Sequence, residues 1–235
     1  MVSVDTVYQK VLALANKEQR GYITPQDFNL FANQAQKEIF EQYFYDTNIA
    51  RKSQGNDTVY ADVDDMLEEK LQIFESVDTP STTPAISDYY PSVPNNMYRI
   101  HEIYVKTTKA EILNTKDFNA CLNSGALIRP NIHRPIANIK NSTISVSTGD
   151  VNLVTPTSIY YFRSPAKVNW TYVVINKQAM YDANSSTQNF ELHPSEENQL
   201  INKILMLAGL ANQQPDIMKA GQGMDMATKQ QQPKI

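Results

Sequence analysis

The stretch NKEQRGYITPQD, residues 16–27, has the outline of a calcium loop. An EF-hand loop places oxygen ligands at positions 1, 3, 5 and 12 and a glycine at position 6. Asn16, Glu18, Arg20 and Asp27 fall on the ligand positions, Gly21 falls on the glycine, and Ile23 follows two residues later. The charge is wrong for a hard dication, which needs several oxygens and net negative charge. Arg20 stands where an oxygen must face the metal, Asp27 replaces the long bidentate glutamate, and Lys17 adds a second cation beside Glu18. A corner between two helices accounts for the same residues. Gly21 ends one helix, Thr24 caps the next, Pro25 takes N1 and Asp27 suits the positive helix end. No calcium is expected there, and no metal or cofactor elsewhere.

The remaining chemistry-bearing residues form no signature. His101, His133 and His193 are far apart, with no i, i+4 pair and no Cys-x-x-Cys, so they read as ordinary histidines. Cys121 is a lone cysteine with no nucleophile signature around it and reads as a small core residue. The nucleotide-loop and nucleophile-elbow glycine patterns are absent from the sequence. The adjacent acids Glu68-Glu69 and Glu196-Glu197 point in different directions on a helix and read as solvated faces and dipole partners. No catalytic residue is assigned, and the chain is not expected to be an enzyme. The segment IYYFRSPAKVNWTYVV carries Tyr160, Tyr161, Phe162, Arg163, Lys167 and Trp170. On an OB-like surface these residues would stack on and pair with single-stranded nucleic acid. Core aromatics alternating with solvated neighbours are the simpler account, and the acidic balance of the chain favours it.

That balance is a formal net charge of -4 over 235 residues, with a pI near 5.4 and 21 lysines and arginines dispersed along the chain. It lacks the basic footprint of non-specific nucleic-acid binding. No apolar run approaches membrane-span length, and no membrane association is expected. The first residues lack the basic flank and cleavage site of a signal peptide. One cysteine fits a reducing compartment and excludes an intrachain disulfide framework. Four Asn-x-Ser/Thr sequons, at Asn56, Asn141, Asn169 and Asn184, mean little without secretion. Asn and Gln are abundant, which hints at large polar interfaces.

The elements follow from periodicity. Val4, Val7, Val11, Leu12, Leu14 and Ala15 make a helical stripe over residues 4–19, started by Ser3 or Asp5. Phe28, Phe31, Ala32, Ala35, Ile39 and Tyr43 make a second over 25–45, with Phe40 and Phe44 on a further face. Residues 46–61 are polar and read as a loop. A third helix follows, with Asp62, Asp64 and Asp65 at its start and Met66, Leu67, Leu71 and Phe74 as its buried face. Four prolines within 76–97 exclude a helix and argue for an extended arm. From 97 to about 176 the period is 2, which predicts short antiparallel strands. A last helix begins at the acidic stretch after Pro194 and is apolar at Ile201, Ile204, Leu205, Ala208 and Leu210. The expected fold is α+β: a discontinuous helical bundle, residues 1–75 joined by a returning helix at 194–212, with an inserted arm and antiparallel β sandwich or barrel at 76–193. Residues 213–235 are expected to be a flexible interaction tail.

Four stretches in this order carry a resemblance: KEQRGYITPQDFNLFANQAQKEIFEQYF, PSVPNNMYRIHEIYV, SIYYFRSPAKVNW and FELHPSEENQLINKILMLAGL. They resemble virion structural proteins of podovirus-like phages, including the crAss-like group. The layout over residues 1–212 is similar to head-to-tail adaptor, or tail tubular, proteins. The resemblance implies a structural protein made in the bacterial host cytoplasm and placed in the virion at the head–tail junction. It implies a connector ring of identical subunits, about a dozen copies. The ring would sit beneath the portal protein, bind downstream tail or ring proteins, and pass DNA through its lumen without specific binding. Residues 76–97 and the tail from Gln213 would be the arms that reach neighbours. The other readings are a nucleic-acid-binding β-domain module or a different tail component. The resemblance carries over no catalytic residue.

Overall fold

In a computed structural model, the described residues are 1–17, 23–52, 58–79, 88–89, 93–125, 127–140, 143–149, 157–176, 178–184 and 186–211, with 219, 221–223 and 226 beyond them. The chain is α+β and divides into two compact units. Unit 1 is Met1–Ile73 with Pro165–Ile235, and unit 2 is Phe74–Ser164.

Unit 1 takes helices from both of its chain segments. α1 (Val4–Lys17) buries Val4, Val7, Val11 and Ala15 of the expected stripe and adds Tyr8, while Leu12 is half-buried and Leu14 is exposed. Ser3 is its cap, its Oγ accepting from the Thr6 amide at 3.4 Å. α2 (Pro25–Lys52) starts at Thr24, whose Oγ1 accepts from the Asp27 amide at 3.2 Å. It buries Phe28, Ala32, Ala35, Ile39, Phe40 and Tyr43, with Phe40 edge-on to Phe44 at 5.1 Å. Much of the loop expected over 46–61 is helix: α2 runs to Lys52, and α3 (Thr58–Gln72) begins four residues before Asp62. Thr47 shows how a polar residue is accommodated inside the helix. Thr47 is buried and its hydroxyl donates to the Tyr43 carbonyl at 2.8 Å, the back-bond a helical threonine can make. α5 (Glu197–Ala211) returns to this unit, packing on α1 and α2 through Leu200, Ile201, Ile204, Leu205 and Ala208.

Unit 2 holds two four-stranded sheets. The first is antiparallel, in the order β1 (Glu75–Asp78), β8 (Thr157–Arg163), β3 (Met97–Val105), β4 (Thr108–Lys109). The second has the order β2 (Asp88–Tyr89), β7 (Thr143–Ser147), β6 (Ile136–Lys140), β5 (Glu111–Ile112). Ile103, Val105 and Ile159 from the first share one core with Ala137, Ile144 and Val146 from the second. Two sheets that share an apolar core make a sandwich. The β5–β6 pair is parallel, unlike the expected all-antiparallel pattern. Parallel neighbours need a long crossover, usually with a helix. Here it contains α4 (Thr115–Leu122), capped by Asn114 and buried through Phe118, an element the period of 2 did not suggest.

Residues 165–193 were expected with the β domain and belong instead to unit 1. They contribute a hairpin of β9 (Tyr172–Ile175) and β10 (Gln178–Tyr181) and end at His193, which leads into a 3-10 turn at Pro194–Glu196. Of the expected arm over 76–97, β1 and β2 are sheet strands and residues 80–87 and 90–92 lie outside the described residues. So do 18–22, including Gly21, the run at 150–156 and most of 213–235. The described tail residues 219, 221–223 and 226 are helical, and Gly221 is buried on α5. A Cβ at Gly221 would stand 3.0 Å from the Met206 amide nitrogen, a tight contact that a larger residue would have to relieve by moving backbone.

Candidate interaction surfaces

The sequence candidates are not brought together. Asp27 is exposed and is taken up as a partner of Thr24, its Oδ2 accepting from the Thr24 hydroxyl at 2.5 Å. His101 lies against Phe162, the exposed His133 sits in a turn, and His193 caps the 3-10 turn by accepting from the Ser195 amide at 3.3 Å. Among the described residues no three His, Cys, Asp or Glu side chains gather as metal ligands. Cys121 is a free, half-buried thiol. Glu196 and Glu197 do diverge: Glu196 is buried against Lys70 at 2.6 Å, and Glu197 meets Lys10 at 2.5 Å. Glu68 and Glu69 are exposed on α3. The aromatic run is split between the units. Tyr160, Tyr161 and Phe162 are in β8, with Tyr161 buried, whereas Trp170 is in unit 1 and only 1% exposed. Trp170 packs on Tyr8 at 4.0 Å between ring centres and donates from Nε1 to Asp5 at 3.0 Å. It has no face left for a base.

The arrangement that holds Trp170 is a ladder of amides on α2. Asn29, Asn33 and Gln36 lie at helical spacing, and each engages an extended segment, residues 166–170, running antiparallel to the helix. Asn29 Oδ1 accepts from the Trp170 amide at 2.8 Å and its Nδ2 donates to the Trp170 carbonyl at 3.2 Å. Asn33 pairs with Val168 in the same way, at 2.8 and 2.9 Å. Gln36 donates to the Ala166 carbonyl at 2.8 Å and accepts from the Glu191 amide at 3.1 Å. Glu191 closes the set by accepting from the Ala166 amide at 2.7 Å. Each side-chain amide thus replaces the peptide of a missing strand. Spacing makes this possible, since four helical residues rise about 6 Å and two strand residues about 6.6 Å. The longer Gln36 meets the last rung, where the helix advances by only three residues.

The ladder anchors the root of the β9–β10 hairpin. Tyr172 and Tyr181, opposite each other in the register, both stack on Trp170, at 5.6 and 6.0 Å. The alternate face turns outward. Val173 pairs with Met180, and both are about half exposed, at 49% and 52%. Ile175 is on the same face at 51%, and Val174, one step along the strand, is 66% exposed. Asn176 makes the turn at φ 51°, a conformation asparagine tolerates. Among the described residues, β9 and β10 pair only with each other. A two-stranded ribbon is marginal alone and its edges are open to further pairing.

Unit 2 carries a second protrusion, the loop between α4 and β6. Leu127 at its tip is 97% exposed and Ile128 is 52% exposed. The loop is braced. The Ile128 and Arg129 amides both donate to the Gly125 carbonyl at 3.1 Å. Asn131 Oδ1 accepts from the His133 and Arg134 amides at 2.9 Å, an Asx turn. Pro130 is buried over Gly149, which has φ +69°, and a Cβ there would lie 2.2 Å from the Pro130 carbonyl oxygen.

Electrostatic perturbation is local. Hydrogen bonds from Lys109 at 2.5 Å and Tyr104 at 2.7 Å hold the Glu102 carboxyl below the usual carboxylate range. The same bond raises Lys109. These groups are at the surface. Tyr43 is different: burial, then the nearby Glu196 and Asp46, push its phenol far above the ordinary tyrosine range. Its hydroxyl has no hydrogen-bond partner among the described residues, and Lys70 lies over its ring at 5.7 Å.

Sequence periodicity identified none of the exposed hairpin residues, since Val173, Ile175 and Met180 look like ordinary strand core. The ladder did leave a signal, three amides at i, i+4 and i+7 bordering the apolar stripe of α2. No family model and no curated protein matches the chain.

Proposed function

We propose that the protein is a structural component that works by association, a head-to-tail connector of a phage particle that forms a ring beneath the portal. The β9–β10 hairpin supports the associative part: a rigidly rooted ribbon presents Val173, Val174, Ile175 and Met180 outward. Apolar side chains clustered on a ribbon with open edges gain by burial against another protein. The connector part rests on the likeness of layout to adaptor proteins. It places the chain in the virion, with identical subunits, the portal and tail proteins as partners and no catalytic role. The split of the aromatic run between the two units, with Trp170 buried, weighs against the nucleic-acid-binding alternative.

Native mass measurement and negative-stain imaging of the chain, alone and mixed with the portal protein of the same phage, test this. Closed rings of one copy number are expected in at least one mixture. Replacing Val173 and Met180 by Asp and Lys is expected to abolish them while leaving the monomer folded. Monomer in every mixture sinks the proposal.

A further inference from the structure

The two units carry opposite charge. α3 bears five carboxylates and one lysine, and that lysine, Lys70, is spent on buried Glu196 at 2.6 Å. Residues 106–140 of unit 2 bear six basic residues and two acidic ones. Of the acids of α3, Asp65, Glu68 and Glu69 are exposed. Leu67 and Leu71 face the core, while Asp65 and Glu69, four residues apart, share the opposite side with Met66 on its flank, 56% exposed. The basic region presents Arg129 beside the bare Leu127 at the loop tip. Asp65, Glu69 and Arg129 have no ion-pair partner among the described residues.

We propose that the 127–129 loop of one copy docks on the Asp65–Glu69 face of α3 in the next copy. Leu127 rests on Met66, whose unbranched side chain adapts to an incoming apolar group. Arg129 reaches the two carboxylates, and the braced loop loses little freedom on docking. A second copy is the occupant the charges select, because the complementary patch is on the same chain. The two patches are different surfaces, so the contact is head-to-tail, and head-to-tail contacts build rings or filaments instead of isolated twofold dimers. This rests on the connector reading and names the surfaces by which the copies meet.

Three chains test it by sedimentation velocity across a concentration series: Arg129→Glu, Asp65→Lys with Glu69→Lys, and all three changes in one chain. Each partial variant is expected to assemble about tenfold less well than wild type, because like charges meet at the contact. The triple variant is expected to recover. So is an equimolar mixture of the two partial variants, since every contact between unlike copies is then complementary. Recovery in the mixture cannot come from a variant that fails to fold. Leu127→Asp is expected to weaken assembly with no rescue. Wild-type assembly that ignores the charge changes overturns the contact and leaves the ring standing. Recovery in the triple variant but not in the mixture puts the contact inside one chain and overturns the proposal. A wild-type chain that stays monomeric alone also overturns it, and the ring is then judged by the portal mixture.

Discussion

At the scale of single residues, the most constrained group is Tyr43. It was legible as a core position from its place in the α2 stripe, but its surroundings were not. Lys70 comes from α3 and Glu196 from the turn before α5, more than a hundred residues apart in sequence. The direction of its pKa has a consequence for stability. An unfolded tyrosine loses its proton near its ordinary value of 10.0, and the folded chain keeps that proton well above it. The contribution is therefore complete below that pH and falls above it, by about 1.4 kcal/mol per pH unit for one such group. Tyr43→Phe removes the titrating group and an unpartnered buried hydroxyl. It is expected to be at least as stable as wild type at neutral pH and to lose less stability on raising the pH. Urea unfolding of both chains over an alkaline pH series measures this, and parallel slopes would contradict it.

At the scale of elements, the amide ladder sets the geometry. The chain's wealth of asparagine and glutamine hints at polar interfaces, and three of those side chains serve an internal one. An apolar helix stripe packs wherever its partner fits, whereas paired amides accept only one register of the extended segment. This register carries Trp170 onto Tyr8 and so orients the hairpin. Asn33→Ala removes both hydrogen bonds to Val168. Groups left unpaired in a partly buried site cost more than the bonds were worth. A loss of about 2 kcal/mol is expected in urea unfolding followed by circular dichroism. Gln34→Ala, which breaks only an exposed bond to Glu38, is expected to change stability by under about 0.5 kcal/mol. An Asn33→Ala chain as stable as the Gln34→Ala control would show that the ladder does not hold the segment.

At the scale of the whole molecule, the β unit is an insertion whose two ends meet. The Arg163 amide donates to the Phe74 carbonyl at 2.9 Å, and the unit has its own core from Ile103 to Tyr161. Adjacent ends and a private core are what an independently folding insert requires. A fragment spanning 74–164 is expected to fold alone, with cooperative unfolding and β-type circular dichroism. A chain in which a short Gly-Ser linker replaces it is expected to keep a helical, cooperatively melting unit 1. A fragment without a cooperative transition would mean that the core around Ile159 needs the rest of the chain.

The sequence alone determined what depends on neighbours in the chain. The main lines of the helical stripes, the Thr24 cap, the acidic start of α5 and the α+β class depend on near neighbours and on repeats of 3.6 and 2 residues, which are local. The choice of Ser3 over Asp5 as the first cap and the exposure of Leu14 and Met66 were not legible there. The corner at 16–27 was also readable as a helix entry, and Asp27 does bond to Thr24 there. Tertiary structure decided what depends on pairing across distance. The parallel β5–β6 pair demands a crossover, and so α4 appears where alternation alone suggested strand. Val168 and Trp170 look like strand core, yet rungs on α2 draw residues 165–193 to the helical unit. Val173 and Met180 alternate as buried residues would, and only the stacking of Tyr172 and Tyr181 on Trp170 decides that the opposite face is bare. Burial is a property of what a residue meets, and a period in the sequence says which residues share a face, not what covers it.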